Sequence, residues 1–171
     1  LAAIQPDLIA LSKGLTGGTL PLSAVLATEE IYESFLGTPA SGRTFFHGHS
    51  YTANPLCAAA AIANLDLMAA AGTVAHAARV GERIGELTAD LAAYDGVLEI
   101  RRIGTMTGIE VHAVDGLDRT GYEICRVMRR SGVLTRPLGD VVVLMPPLAI
   151  GEDDLRTIVD VCIAAIDEVA R

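Results

Sequence analysis

The sequence predicts an α/β chain that closes on a small α+β domain. Three observations carry the prediction. Residues 8–11 form a short apolar run that stops at Ser12-Lys13, with Gly14, Gly17 and Gly18 behind it; that is a strand's length followed by breakers. Residues 73–94 keep their apolar side chains at helical spacing, as at Val80, Ile84, Leu87 and Leu91. After Asp95-Gly96 the apolar period shortens, and two strands, a helix, two strands and a helix follow.

The elements follow in chain order. The run Leu8–Leu11 reads as a buried strand, and residues 22–27 as a second strand packed near it. Thr28 reads as a helix N-cap, with Glu29 and Glu30 at the positive end of the helix dipole and a stop at Gly37. Residues 38–42 and 43–52 read as loop. Asn54-Pro55 is a helix start, a capping side chain followed by proline at the first helical position, and the helix runs to about Ala71. One further helix is expected over residues 73–94, bridging two domains. Residues 97–103 and 106–112 form a hairpin around Gly104-Thr105. Residues 120–130 are a helix closed by Gly132, and residues 133–135 and 141–145 are strands flanking an Arg136–Asp140 loop. The acids at 152–154 open a last helix that runs to about Val169.

Composition excludes several functions. Net charge is −8 and no basic stripe appears, which argues against nucleic acid as a partner. The alanine-rich run after Leu56 is the one membrane candidate, but Asn64 and Asp66 interrupt it well short of a ~20-residue span. Cys57, Cys125 and Cys162 are odd in number, far apart and set among apolar residues. They read as buried thiols of a reducing cytoplasm, not as a disulfide framework.

Lys13 is the sole lysine; every other basic residue of the Lys and Arg set is arginine. Arginine keeps its proton in a protein, whereas lysine can lose it and attack a carbonyl. An amine at a strand end therefore points to covalent chemistry with an aldehyde, and the alternative is a surface lysine at a turn. A phosphate loop of the Walker type fits poorly, because there the glycines precede the lysine. His47-Gly48-His49 offers two imidazoles without a third ligand, a weak metal signal, and no metal site is expected. Arg136 sits before Pro137, a rigid place for a guanidinium, though most arginines serve only as surface charge.

The segment Pro6-Asp7-Leu8 through Ser12-Lys13-Gly14-Leu15-Thr16-Gly17-Gly18 resembles the cofactor-lysine segment of the class III (omega-type) aminotransferases. Three more stretches extend the resemblance in the family's order: His47-Gly48-His49-Ser50-Tyr51-Thr52-Ala53-Asn54-Pro55-Leu56, Leu134-Thr135-Arg136-Pro137-Leu138-Gly139, and Leu144-Met145-Pro146-Pro147-Leu148. Arg136-Pro137 together with Met145-Pro146-Pro147 is similar to the biotin-pathway branch of that family.

The resemblance implies the C-terminal part of a fold-type I enzyme dependent on pyridoxal 5'-phosphate. Residues 1–71 would complete the large cofactor-binding domain, 72–94 would connect, and 95–171 would form the small domain. It implies Lys13 as the catalytic and cofactor-holding residue, with His49 and Ser50 as further cofactor contacts. Ser50 matches a position that is commonly threonine in relatives, where the hydroxyl and backbone N–H bind the cofactor phosphate. His49 matches a proline in some of them. Gly48 would lie against substrate, and Arg136 would grip the carboxylate of 8-amino-7-oxononanoate. Val143 stands where some biotin enzymes carry a tyrosine near the substrate. The implied reaction takes an amino group from S-adenosylmethionine, or from lysine in a minority branch, and yields 7,8-diaminononanoate. The implied assembly is a homodimer with the His47–Ser50 loop reaching the partner's cofactor. The resemblance also places the aspartate that pairs with the pyridine nitrogen upstream of Leu1. The chain is accordingly expected to be a piece of a longer enzyme, inactive and prone to aggregate by itself. Competing expectations are another class III enzyme acting on ornithine, γ-aminobutyrate or a diamine, and a non-catalytic fragment.

Overall fold

The computed structural model describes residues 4–170, which fall into two compact units divided between Ala71 and Gly72. In the first unit, strands β1 (Leu8–Leu11) and β2 (Ala24–Ala27) pair antiparallel, Leu8 opposite Ala27 and Leu11 opposite Ala24. A 3-10 turn, Lys13–Thr16, leaves β1. The expectation of a buried strand is not met within the chain: Leu8 is 57% exposed and Val25 67%. A two-stranded ribbon has no neighbouring strand or second layer to cover its faces.

Helix α1 (Glu29–Ser34) starts after an extended Thr28, whose hydroxyl makes no cap bond. It stops short of Gly37, closed by Phe35, whose ring lies 5.0 Å from that of Phe45. Residues Pro39–Ser41 form a 3-10 turn within the expected loop. Helix α2 (Pro55–Ala70) begins as the sequence indicates, with Asn54 Oδ1 accepting from the Leu56 amide at 3.0 Å. Of its side chains only Cys57 and Ala61 are buried.

In the second unit the expected single helix over 73–94 is divided. Helix α3 (Thr73–Leu87) ends at Thr88, and a 3-10 turn, Ala89–Ala93, follows. The cause is local. The Thr88 hydroxyl and amide both donate to the Ile84 carbonyl, at 2.8 and 2.9 Å, and a hydroxyl bonded back in this way competes with continued helix.

Strands β3 (Val97–Ile103) and β4 (Met106–Val111) form the expected hairpin. Strands β5 (Pro137–Leu138) and β6 (Val141–Leu144) complete an antiparallel sheet in the order β3-β4-β6-β5. Alternation along the strands sends Ile109, Val111, Val142 and Leu144 to one face. There they meet Ile124 and Met128 of helix α4 (Thr120–Arg130) and Val159, Cys162 and Ile166 of helix α5 (Glu152–Ala170). All three cysteines are buried and free.

One strand lies elsewhere than expected. Residues 133–135 are not a strand, and the expected Arg136–Asp140 loop holds the edge strand and its turn. Pro137 pairs with Val142 and Leu138 with Val141 across Gly139-Asp140. Gly139 has φ +61°, as the first central position of a tight hairpin turn demands. Pro137 lacks an N–H to donate, so it belongs on an edge.

Candidate functional site

Lys13 opens the turn that leaves β1, and its side chain is exposed with no hydrogen-bond or ion-pair partner among the described residues. The loop behind it is held tightly. Thr16, 3% exposed, donates its hydroxyl to the Leu20 carbonyl at 2.5 Å, and its own carbonyl accepts from the Thr19 hydroxyl at 2.8 Å. From α2, Asn64 Nδ2 donates to the Gly14 carbonyl at 2.9 Å and the Leu15 carbonyl at 3.1 Å. A Cβ on Gly17, which has φ +59°, would stand 2.7 Å from Asn64 Oδ1. The free amine thus sits on a loop fixed by a helix fifty residues away in sequence.

The stretch from His47 to Asn54 is exposed up to the helix cap. His49 organises it: its amide donates to Thr52 Oγ1 at 2.9 Å, its carbonyl accepts from the Thr52 amide at 3.0 Å, and its Nδ1 accepts from the Tyr51 amide at 3.1 Å. The His47 ring stacks on Phe45 with centroids 5.3 Å apart. Gly48 is open, with Thr52 Oγ1 3.6 Å from where a Cβ would stand. Ser50 has neither hydroxyl nor amide engaged among the described residues. Ala53 has φ +58°, a left-handed conformation that costs a residue with a Cβ about 1–2 kcal/mol. Strain of this kind persists where the surrounding structure imposes it. An unengaged hydroxyl and amide ahead of the N-terminus of a 16-residue helix form a donor set that suits a phosphate.

In the second unit, Arg136 is exposed and unpaired among the described residues. Val143 and its neighbours on β6 are aliphatic, as the sequence shows. A cavity elsewhere in this unit is lined by His76, Arg79, Arg83 and Glu152. Part of its charge is satisfied internally: Arg83 pairs with Glu86 and with Glu152, and the hydrogen bond from Arg83 holds the Glu152 carboxyl below the usual carboxylate range.

Lys13, Gly48, His49 and Ser50 thus belong to the first unit and Arg136 to the second. No hydrogen bond or ion pair joins Lys13 to the His47–Ser50 loop among the described residues. Sequence reasoning missed Asn64 and Thr16, the residues that fix the lysine loop. The available signal was Asn64, which with Asp66 is one of two polar side chains in an otherwise small and apolar helix. Among the described residues no cluster of His, Cys, Asp and Glu could hold a metal, and no single helix is long and apolar enough to cross a membrane.

The family model for aminotransferase class III matches residues 1–166. Adenosylmethionine-8-amino-7-oxononanoate aminotransferase of Nitratidesulfovibrio vulgaris is 46% identical over 170 residues, which cover 95% of this chain and 31% of that protein. The crystal structure of the enzyme of the same name from Methanocaldococcus jannaschii superposes with a TM-score of 0.89 at 33% identity, over 98% of this chain and 40% of that one. An amine transaminase from an uncultivated Pseudomonas species, solved in its PLP-bound form, has a TM-score of 0.87 at 31% identity, over 96% and 39%. The chain therefore spans between three and four tenths of the length of these relatives.

Proposed function

Because the chain belongs to the aminotransferase class III family, we propose that it contributes the lysine-bearing part of an enzyme that aminates 8-amino-7-oxononanoate to 7,8-diaminononanoate, with S-adenosylmethionine as amino donor. One observation carries the reading: the chain's sole lysine stands free at the end of β1, on a loop braced by Thr16 and Asn64. The names of the Nitratidesulfovibrio and Methanocaldococcus relatives support the choice of substrate.

Pyridoxal 5'-phosphate, when bound, supplies an aldehyde that takes up an amino group and a ring that draws electrons from the adjoining carbon. The residues present fit it: a free amine on Lys13, and an unengaged hydroxyl and amide on Ser50 ahead of the α2 N-terminus. Lys13 Nζ would hold the cofactor. Its amine would also take the proton from the amine-bearing carbon of the donor. Arginine at this position could do neither. Ser50 binds the phosphate, and His49 shapes the turn that presents Ser50. Gly48 keeps the substrate side of the loop clear. Arg136 donates two parallel N–H bonds to the substrate carboxylate.

The Lys13 and Ser50 roles are compatible with an active site shared between two copies, each lending its loop to the other. We place the enzyme in the cytoplasm, where buried free thiols persist. Residues 1–71 serve as the end of the cofactor domain and 95–171 as the small domain, with 72–94 between them.

The test uses the full-length protein that contains this chain. It is incubated with pyridoxal phosphate, reduced with borohydride and mapped by peptide. It is then assayed on 8-amino-7-oxononanoate with S-adenosylmethionine and, separately, with lysine. Labelling at Lys13 with turnover on S-adenosylmethionine is expected. Turnover with lysine alone reassigns the donor. Labelling without turnover of 8-amino-7-oxononanoate removes the substrate assignment, and absence of labelling removes the role of Lys13.

A further inference from the structure

Arg136 has no side-chain partner among the described residues, so nothing at its own guanidinium fixes where the charge points. Its backbone, by contrast, is tied on both sides. One residue before it, the Thr135 hydroxyl donates to the Val143 carbonyl of β6. Four residues after it, Asp140 Oδ1 accepts from the Gly121 amide at 3.0 Å, in the first turn of α4. That α4 amide is one of the orphan donors at a helix start, and a carboxylate there is favoured by the helix dipole. Arg119, at the N-cap position, supplies no side-chain cap. The approach is close: a Cβ on Gly121 would stand 2.7 Å from the Gly139 carbonyl oxygen. The Asp140 carbonyl also accepts from the Val111 amide at 3.0 Å, which ties the turn to β4. Pro137 restricts Arg136 further, because a residue before proline is confined to extended conformations.

We propose that Thr135 and Asp140 are positioning residues that set the reach of Arg136 towards a substrate carboxylate. The inference rests on the reading of Arg136 as the carboxylate-binding residue. An arginine that binds as a fork needs its plane held, and the side chain alone has several free torsions. Clamping the backbone at residues 135 and 140 leaves only the side chain to order on binding. Releasing either clamp lets the β5–β6 hairpin shift, and displacements of about 1 Å cost up to about a hundredfold in positioned chemistry.

The test measures selectivity in the full-length holoenzyme: kcat/KM for 8-amino-7-oxononanoate divided by that for its methyl ester, which has no carboxylate. Thr135→Val and Asp140→Ala are expected to reduce this ratio about tenfold. The loss is expected in KM for the acid, with kcat on the ester little changed. Thr135→Ser and Asp140→Asn keep the hydrogen-bonding atoms and are expected to retain the ratio, which a general loss of folding would not reproduce. Arg136→Ala run in parallel separates the two failures. If Arg136→Ala abolishes selectivity while Thr135→Val and Asp140→Ala preserve it, the positioning inference is overturned and the Arg136 reading stands. If Arg136→Ala leaves selectivity intact, both fall. A loss in Asp140→Asn as complete as in Asp140→Ala overturns the hydrogen bond as the cause.

Discussion

The contact between Gly17 and Asn64 can be tested by a double-mutant cycle. Asn64→Ala removes two hydrogen bonds to the Gly14 and Leu15 carbonyls. At roughly 1 kcal/mol each, the loop should lose about 2 kcal/mol. Gly17→Ala places an L-residue at φ +59°, which costs about 1 kcal/mol. Its Cβ would also stand 2.7 Å from Asn64 Oδ1, too close for the amide to keep its place. Displacing Asn64 forfeits the same two bonds, so Gly17→Ala alone should cost about 3 kcal/mol. In the double variant the collision is gone and only the backbone cost and the lost bonds remain, again about 3 kcal/mol. The two substitutions are then non-additive by about 2 kcal/mol. The assay is native-state hydrogen exchange in the full-length protein, because it reads local opening free energies. The amides of Leu15, Gly17 and Thr19 report the loop, since they donate to the Ser12, Gly14 and Thr16 carbonyls. Costs that add to within about 0.5 kcal/mol would refute the claim that Asn64 and Gly17 share one steric site bracing Lys13.

Other expectations follow from the same structure. Lys13→Arg should keep the fold and the charge yet abolish borohydride-trapped cofactor, read by absorbance and peptide mapping. Ala53→Gly should stabilise the loop before α2 by about 1 kcal/mol, read as a shifted urea midpoint, because glycine accepts φ +58° without penalty. Burial raises the Cys125 thiol to about 11, and burial together with the nearby Cys125 raises Cys162 to about 12. Both folded values lie above the unfolded value, so their contribution to stability is complete below about pH 9 and is lost as pH rises through about 11 to 12. These two thiols should therefore resist a thiol reagent at pH 8 until denaturant is added, and rapid labelling of the native protein at both would contradict the burial.

Much of the fold could be read directly where the signal was local. The Asn54-Pro55 start of α2, the Gly104-Thr105 hairpin and the limits of α4 each depend on a few neighbouring residues, and all appear as expected. Errors arose where neighbours compete. The end of α3 turns on whether the Thr88 hydroxyl bonds back to Ile84. The strand expected at 133–135 lost its place to Pro137-Leu138 because the tight Gly139-Asp140 turn sets the register with β6. The apolar run of β1 gave the strand correctly but not its burial, since burial depends on what lies against a strand.

The candidate site divides along the same line. Lys13 could be singled out from sequence because its meaning is chemical, a single amine in a chain that otherwise uses arginine, and the motif resemblance set its proposed role against that of a surface lysine at a turn. Ser50, Gly48, His49 and Arg136 came from motif resemblance, which also needs no coordinates. What tertiary structure alone decided is how these groups are held. Asn64 reaches the Lys13 loop across fifty residues of sequence, and Asp140 reaches α4 across nineteen. Identity and local propensity are written residue by residue, but a hydrogen bond between distant segments exists only once packing has closed the loop between them.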